Sequence, residues 1–243
     1  MLIEQLTQLK LSYLANNLDS FLDRQKKSSP REVVARLAEL ELIEKSARGT
    51  ERRLKATKLG AFKKMSDFDW SWPTKLDRAL IENLLNCEFI ESSKNIVLAG
   101  AQGLGKSMLA RNLAWNAALK GQTALFTTAS RMILDLGAQE SNAALHRCLM
   151  KYEKPKLLVI DEIGYLAFDN KSADYIFEIV NRRYEKSSIV MTTNLAFKDW
   201  HQVFPGAPCV TAMIDRLTHH ADIIKFEGPS YRTKEASSKK DKS

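Results

Sequence analysis

Eight consecutive residues, Gly100-Ala101-Gln102-Gly103-Leu104-Gly105-Lys106-Ser107, fit the phosphate-loop spacing G-x-x-x-x-G-K-[ST]. Glycines in such a loop let backbone N–H groups turn inward around phosphate oxygens. A helix beginning at the end of the loop adds a partial positive charge. Lys106 is then placed to reach the β- and γ-phosphates, and Ser107 to ligate Mg²⁺. The expected nucleotide contacts are Gly100, Gly103, Leu104, Gly105, Lys106, Ser107 and Met108. The chemistry is binding of a nucleoside triphosphate, with ATP and Mg²⁺ as the expected cofactors.

A second group of residues supplies what hydrolysis needs. Leu157-Leu158-Val159-Ile160-Asp161-Glu162 is an apolar run ending in two carboxylates. Strands of open α/β sheets deliver ligand-contacting groups at their C-terminal ends. Asp161 would hold Mg²⁺ through a water, and Glu162 would polarise the attacking water as general base. An apolar run before Asp is common alone; downstream of a phosphate loop it becomes specific. Thr192-Thr193-Asn194 closes another apolar run. The Asn194 amide suits a hydrogen bond to the γ-phosphate or the lytic water, and equally suits a turn. Asp215-Arg216-Leu217 and Ser230-Tyr231-Arg232 place two cations late in the chain. A guanidinium beside a γ-phosphate raises the rate by roughly 10³–10⁵; a structural ion pair is the competing use. His146, His201, His219 and His220 have no evident partner set, so no metal-ligand cluster is expected. Cys87, Cys148 and Cys209 are far apart and read as reduced thiols.

These groups need elements to hold them. Ile96-Val97-Leu98-Ala99 reads as a buried strand entering the loop, and Met108 to Lys120 as the helix leaving it. Further strands are expected at Ala124-Leu125-Phe126, Leu157 to Ile160, Ser188 to Thr192 and Ile223 to Phe226. Helical patterns lie between them at 129–136, 143–152, 171–184 and 212–219. Alternation of this kind implies an α/β fold, a parallel five-stranded sheet flanked by helices. Upstream, Leu2, Leu6, Leu9, Tyr13, Leu18 and Leu22 trace one amphipathic helix. Ser29-Pro30-Arg31-Glu32 is a helix start with a capping box. Met65 to Pro73 reads as a linker whose aromatics dock on the next domain, followed by a helix over 74–87. The expected organisation is a small all-helical N-terminal domain (1–66), a nucleotide domain (67–231) and a basic tail (232–243).

Charge is unevenly spread. The chain carries a formal net charge of +8. Residues 1–66 hold 14 Lys and Arg against 8 Asp and Glu, and the tail 5 against 2. Between them the balance is slightly acidic. Arg48, Arg52, Arg53, Lys55, Lys58, Lys63 and Lys64 interleave with Leu54, Leu59 and Phe62. They predict a basic helix lying along a DNA backbone, where neutralised phosphates release counterions. No run approaches the ~18 apolar residues that a membrane-spanning helix needs. The start Met1-Leu2-Ile3-Glu4-Gln5 lacks a signal-peptide layout, so a cytoplasmic protein is expected.

Taken together, these motifs resemble the IstB family of transposition helper ATPases within the AAA+ class. The pieces are Leu9 to Leu22, the phosphate loop, Asp161-Glu162-Ile163-Gly164-Tyr165-Leu166, Thr193-Asn194, Asp215-Arg216-Leu217-Thr218-His219-His220-Ala221 and Ser230-Tyr231-Arg232. The family is similar to the DnaC helicase loaders. The resemblance implies that Asn194 is the sensor of the γ-phosphate. It implies that Arg216 is an arginine finger acting on ATP in a neighbouring subunit, and Arg232 a second sensor within its own. It further implies an ATP-bound homo-oligomer on duplex DNA that recruits and stimulates a partner transposase. Rivals are a replicative helicase loader and, less compatible with the acid pair and basic N-terminal segment, a small-molecule kinase.

Overall fold

The computed structural model describes residues 2–25, 28–72, 76–165 and 168–231. The chain divides into two compact units, Met1–Arg52 and Arg53–Ser243.

The first unit is helical. Helices α1 (Leu2–Gln8) and α2 (Ser12–Arg24) stand where one amphipathic helix was expected. Lys10 takes a left-handed conformation (φ 60°), and Leu11 N–H returns to the Leu6 carbonyl at 2.9 Å. That turn lets Leu6, Leu14 and Phe21 share one buried cluster with Val33, Leu37 and Leu40. Helix α3 (Pro30–Ala56) opens with the expected capping box. Ser29 N–H donates to Glu32 at 2.8 Å, and Glu32 N–H donates back to the Ser29 hydroxyl. The buried Glu41 carboxylate accepts the Leu14 N–H at 2.8 Å and ties α2 to α3. The unit boundary falls inside α3, earlier than the expected boundary at residue 66.

The second unit is a parallel α/β domain. After the end of α3 come α4 (Arg78–Leu85), β1 (Asn95–Gly100), α5 (Lys106–Leu119), β2 (Ala124–Thr128), α6 (Ala129–Gly137) and α7 (Asn142–Glu153). Then follow β3 (Leu157–Ile163), α8 (Asn170–Arg183), β4 (Ser188–Thr193), the short α9 (Trp200–Val203), α10 (Val210–His219) and β5 (Ala221–Phe226). Strand order is β2-β3-β4-β1-β5, and all pairs are parallel. Alternation along each strand feeds two cores. Leu158, Ile160, Ile189 and Met191 face α6, α8 and α10. Val159, Val190, Ile96 and Leu98 face α4 and α5. Central strands buried on both faces read as unbroken apolar runs, which is why the sequence located them. Helix starts are set by side-chain caps: Asp77, Thr128, Ser141 and Asp169 each accept a backbone N–H from the first turn. The helix expected over 74–87 is the shorter α4, and its expected start at Thr74 lies outside the described residues. The tail 232–243 lies outside them as well. Among the described residues no helix is long and apolar enough to cross a membrane.

Candidate active site

β1 delivers Gly100 to the rim of the sheet, and α5 leaves from Gly105, which caps it at φ 94°. Gly103 stands at φ 77°. A Cβ on Gly103 would collide with Ser230, and one on Gly105 with the Phe68 ring. These two glycines therefore turn the loop and also let neighbouring segments close on it. Tyr231 N–H donates to the Gly103 carbonyl at 3.0 Å, tying the segment after β5 to the loop. Leu104, 2% exposed, anchors the loop in the core. Lys106 Nζ donates to the Gly100 and Ala101 carbonyls, both at 2.6 Å. An arriving phosphate competes with these neutral acceptors for the same ammonium and has the advantage of charge.

β3 and β4 bring the carboxylates to the loop. The Ser107 hydroxyl donates to Asp161 Oδ1 at 2.9 Å, and the Thr192 hydroxyl donates to the same oxygen at 2.5 Å. Thr192 Oγ1 also accepts the Glu162 N–H at 2.9 Å. A hydroxyl and a buried carboxylate held this close suit a hard cation that retains several waters, so the donor set fits Mg²⁺. The β3–β4 register slips between Ile160 and Ile163. Glu162 sits in that irregularity at φ 67°, a conformation costing a non-glycine residue roughly 1–2 kcal/mol. The bulge turns Glu162 out of the sheet into a cavity of about 400 Å³ that Gly103, Lys106 and Ser107 also line.

Asn194 follows β4 directly. Its Oδ1 is buried without a hydrogen-bond partner among the described residues, pointing at the space that Gly164 leaves by lacking a Cβ. An orphaned amide oxygen costs about 1–3 kcal/mol unless a donor such as a water serves it.

Arg216 stands elsewhere. It donates to the Ala212 carbonyl at 3.2 Å, and its guanidinium lies 5.1 Å from the Phe177 ring centroid. Asn95 fixes this end of α10: its Nδ2 donates to the Leu217 carbonyl and its N–H to the His220 carbonyl. Asn95 opens β1 and Gly100 closes it, so Arg216 and the phosphate loop lie at opposite ends of a strand about 17–20 Å long. Arg232 lies outside the described residues; Tyr231, just before it, lines the cavity.

Sequence reasoning missed two features here. One is the positioning role of Thr192. The other is an aromatic wall: Phe62, Phe68, Trp72 and Tyr231 line the cavity. Trp72 Nε1 donates to the Pro229 carbonyl at 2.8 Å and its ring meets Tyr231 edge-on. The expectation that the linker aromatics dock was sound; the density of aromatics from Phe62 to Trp72 was the signal that they dock at the site.

The predicted basic helix is corrected. α3 stops at Ala56, and Lys58 follows in a left-handed conformation. Arg48 bonds the Ser12 hydroxyl and pairs with Glu44, Arg52 and Lys55 are exposed on α3, and Arg53 donates to the Ala118 carbonyl at 3.0 Å. Lys63 lines the cavity beside the glycine loop, and Lys64 lies over the Trp115 ring. The helix ends there because burying Leu59 against the sheet domain requires the chain to turn. Two of the four histidines, which the sequence left without a partner set, do have one in the fold. Glu185, His219 and His220 bring ligand atoms within 4.8 Å of one another.

A parallel sheet with this strand order, a glycine loop running from β1 into α5, and an acid pair on β3, with β4 between β1 and β3, define an ATPase of the AAA+ class. The sequence profile of the IstB-like ATP binding protein family matches residues 4–239, and the chain belongs to that family. It is 35% identical over 232 residues to a protein described as ATP-binding in insertion sequence IS21 of Pseudomonas aeruginosa, covering 95% of this chain and 88% of that one. It is 36% identical over 204 residues to the corresponding protein of insertion sequence IS5376 of Geobacillus stearothermophilus, covering 84% and 81%. Among solved structures, DnaI is similar with a TM-score of 0.55 at 19% identity, over 71% of this chain and 90% of that one. AMPPCP-bound DnaA from Aquifex aeolicus is similar with a TM-score of 0.58 at 18% identity, over 76% and 56%. At those identities the likeness is one of fold.

Proposed function

We propose that this chain is an ATP-driven assembly factor of DNA transposition, which polymerises on duplex DNA and recruits and stimulates a partner transposase. The observation that carries the reading is the separation of Arg216 from the phosphate loop. A finger at one end of β1 and a cradle at the other complete an ATP site only between two copies of the chain, stacked head to tail. Such heterologous contacts generate rings or helical filaments.

The residues divide the work. Backbone N–H groups of 103–108 and the Lys106 ammonium bind the phosphates. Ser107 and Asp161 would hold Mg²⁺, which would neutralise phosphate charge during hydrolysis. Glu162 takes a proton from the attacking water, Asn194 orients that water, and Arg216 of the next copy meets the charge developing on the γ-phosphate. Arg232 is assigned to the γ-phosphate within its own copy. Arg48, Arg52, Lys55 and Lys58 supply the DNA-facing charge, whereas Arg53 is committed partly to its contact with Ala118, Lys63 to the cavity and Lys64 to Trp115. The insertion-sequence setting of the relatives supports a transposase as partner.

Electron microscopy of the purified chain with duplex DNA, with and without a non-hydrolysable ATP analogue, tests this. Rings or filaments dependent on the analogue and on DNA are expected. A chain that stays monomeric and ignores DNA under every nucleotide condition overturns the reading. Pull-down against a transposase and against a hexameric helicase separates it from helicase loading.

A further inference from the structure

Two surface histidines and one glutamate meet at the far end of the sheet from the phosphate loop. α10 ends at His219, and His220 leaves the helix at φ −128°, ψ 68°. The break brings the two imidazoles together, centroids 4.1 Å apart and planes tilted by 56°, instead of splaying them around a helix. Glu185 lies in the turn between α8 and β4, in a left-handed conformation (φ 57°) that a glutamate adopts only under constraint. Its Oε1 is 3.5 Å from His220 Nε2 and 3.8 Å from His219 Nδ1. Tetrahedral zinc with bonds near 2.0–2.1 Å holds its ligand atoms about 3.3 Å apart, so the two glutamate–histidine distances are a few tenths of an ångström from a coordination shell, within a set whose ligand atoms all lie within 4.8 Å of one another.

We propose that Glu185, His219 and His220 form a divalent-metal site of His₂-carboxylate type, suited to Zn²⁺, with a fourth position open to water. The donor set is the borderline nitrogen–oxygen mixture that zinc prefers over calcium or magnesium, which seek oxygen alone. The Tyr184 hydroxyl, 2.8 Å from His219 Nδ1, engages that nitrogen and is the contact an arriving ion must displace. Lys94, the nearest lysine in the adjoining cavity, is already engaged by Asp222 at 2.6 Å. A bound ion would staple the α8–β4 turn to the junction of α10 and β5. Arg216 lines the same cavity of about 360 Å³. If Arg216 completes a neighbour's site, the staple fixes the helix that presents it; that consequence rests on the function proposed above, whereas the metal site does not.

The test uses the full chain, stripped with chelator and free of nucleotide and DNA. It is titrated with Zn²⁺ and, for spectroscopy, with Co²⁺. One ion per chain is expected, with a tetrahedral cobalt spectrum free of thiolate charge transfer, and with a raised melting temperature. Glu185→Gln and His220→Ala should each weaken binding at least about tenfold, and the double variant should lose the thermal shift. All three side chains are exposed, so the metal-free variants should melt with wild type. Zinc bound as tightly by the double variant, or not bound by wild type, overturns the proposal. A defect in ATP turnover on Arg216→Ala, or its absence, leaves the ion stoichiometry untouched, so the two readings fail separately.

Discussion

Thr192 couples the two acids of the site through one hydroxyl, which donates to Asp161 and accepts from the Glu162 backbone. It is buried, does not line the cavity and acts through Asp161 and Glu162, so it is a positioning residue. Thr192→Val keeps the shape and removes the hydrogen bonds. Turnover should fall roughly 10–100-fold, the range for lost support of a metal ligand, while ATP binding changes little. Thr192→Ser should restore most of the rate; a serine variant as slow as valine would assign the loss to packing instead. Glu162→Gln should bind ATP and stall, and Lys106→Ala should lose tight binding, as read by equilibrium nucleotide binding beside single-turnover hydrolysis. At this scale the sequence was highly legible. Phosphate chemistry needs glycines, a lysine and a hydroxyl at fixed spacing, and local spacing is what a sequence displays. Thr192 escaped because its partners are 30 and 31 residues away.

Helices and strands are joined by buried polar clips that no local pattern announces. Arg183, 1% exposed at the end of α8, donates to the carbonyls of Tyr152, Glu153, Pro155, Lys156 and Ser188. Burial pushes its pKa down to about 9, yet the guanidinium satisfies the end of α7 and the start of β4 at once. Arg183→Ala orphans these acceptors and should cost at least ~3 kcal/mol, measured by urea unfolding. Arg183→Lys should rescue little, because an ammonium cannot span five carbonyls. Asp135 on α6 is a second clip. Partial burial pushes its pKa up, but hydrogen bonds from Lys151 and Tyr152, with the charges of Lys151 and Arg131, outweigh it and hold the pKa below its usual value. Its stabilisation is therefore complete above the ordinary aspartate value of 3.8 and is lost as pH falls through the lower folded value. Asp135→Asn should flatten that acid limb of the unfolding curve and leave the neutral-pH slope unchanged.

For the whole molecule, the proposed division of the ATP site between copies has a direct test. Arg216→Ala retains the cradle and lacks the finger; Lys106→Ala retains the finger and lacks the cradle. Each alone should be nearly inactive, and a mixture should recover a measurable fraction of turnover, because one chain lends Arg216 to the other. A mixture as silent as its components places both halves in the same copy. The sequence by itself determined the class of fold, the phosphate loop, the acid pair and the capping of α3, because buried strands, glycine turns and helix caps are local physics. Tertiary structure decided where α3 ends, which face of the linker aromatics meets the loop, and that Arg216 stands a full strand length from Lys106. It also brought Glu185 to His219 and His220 across 34 residues of chain. Those outcomes depend on which distant surfaces are buried together, and burial between distant segments leaves no period or spacing to read.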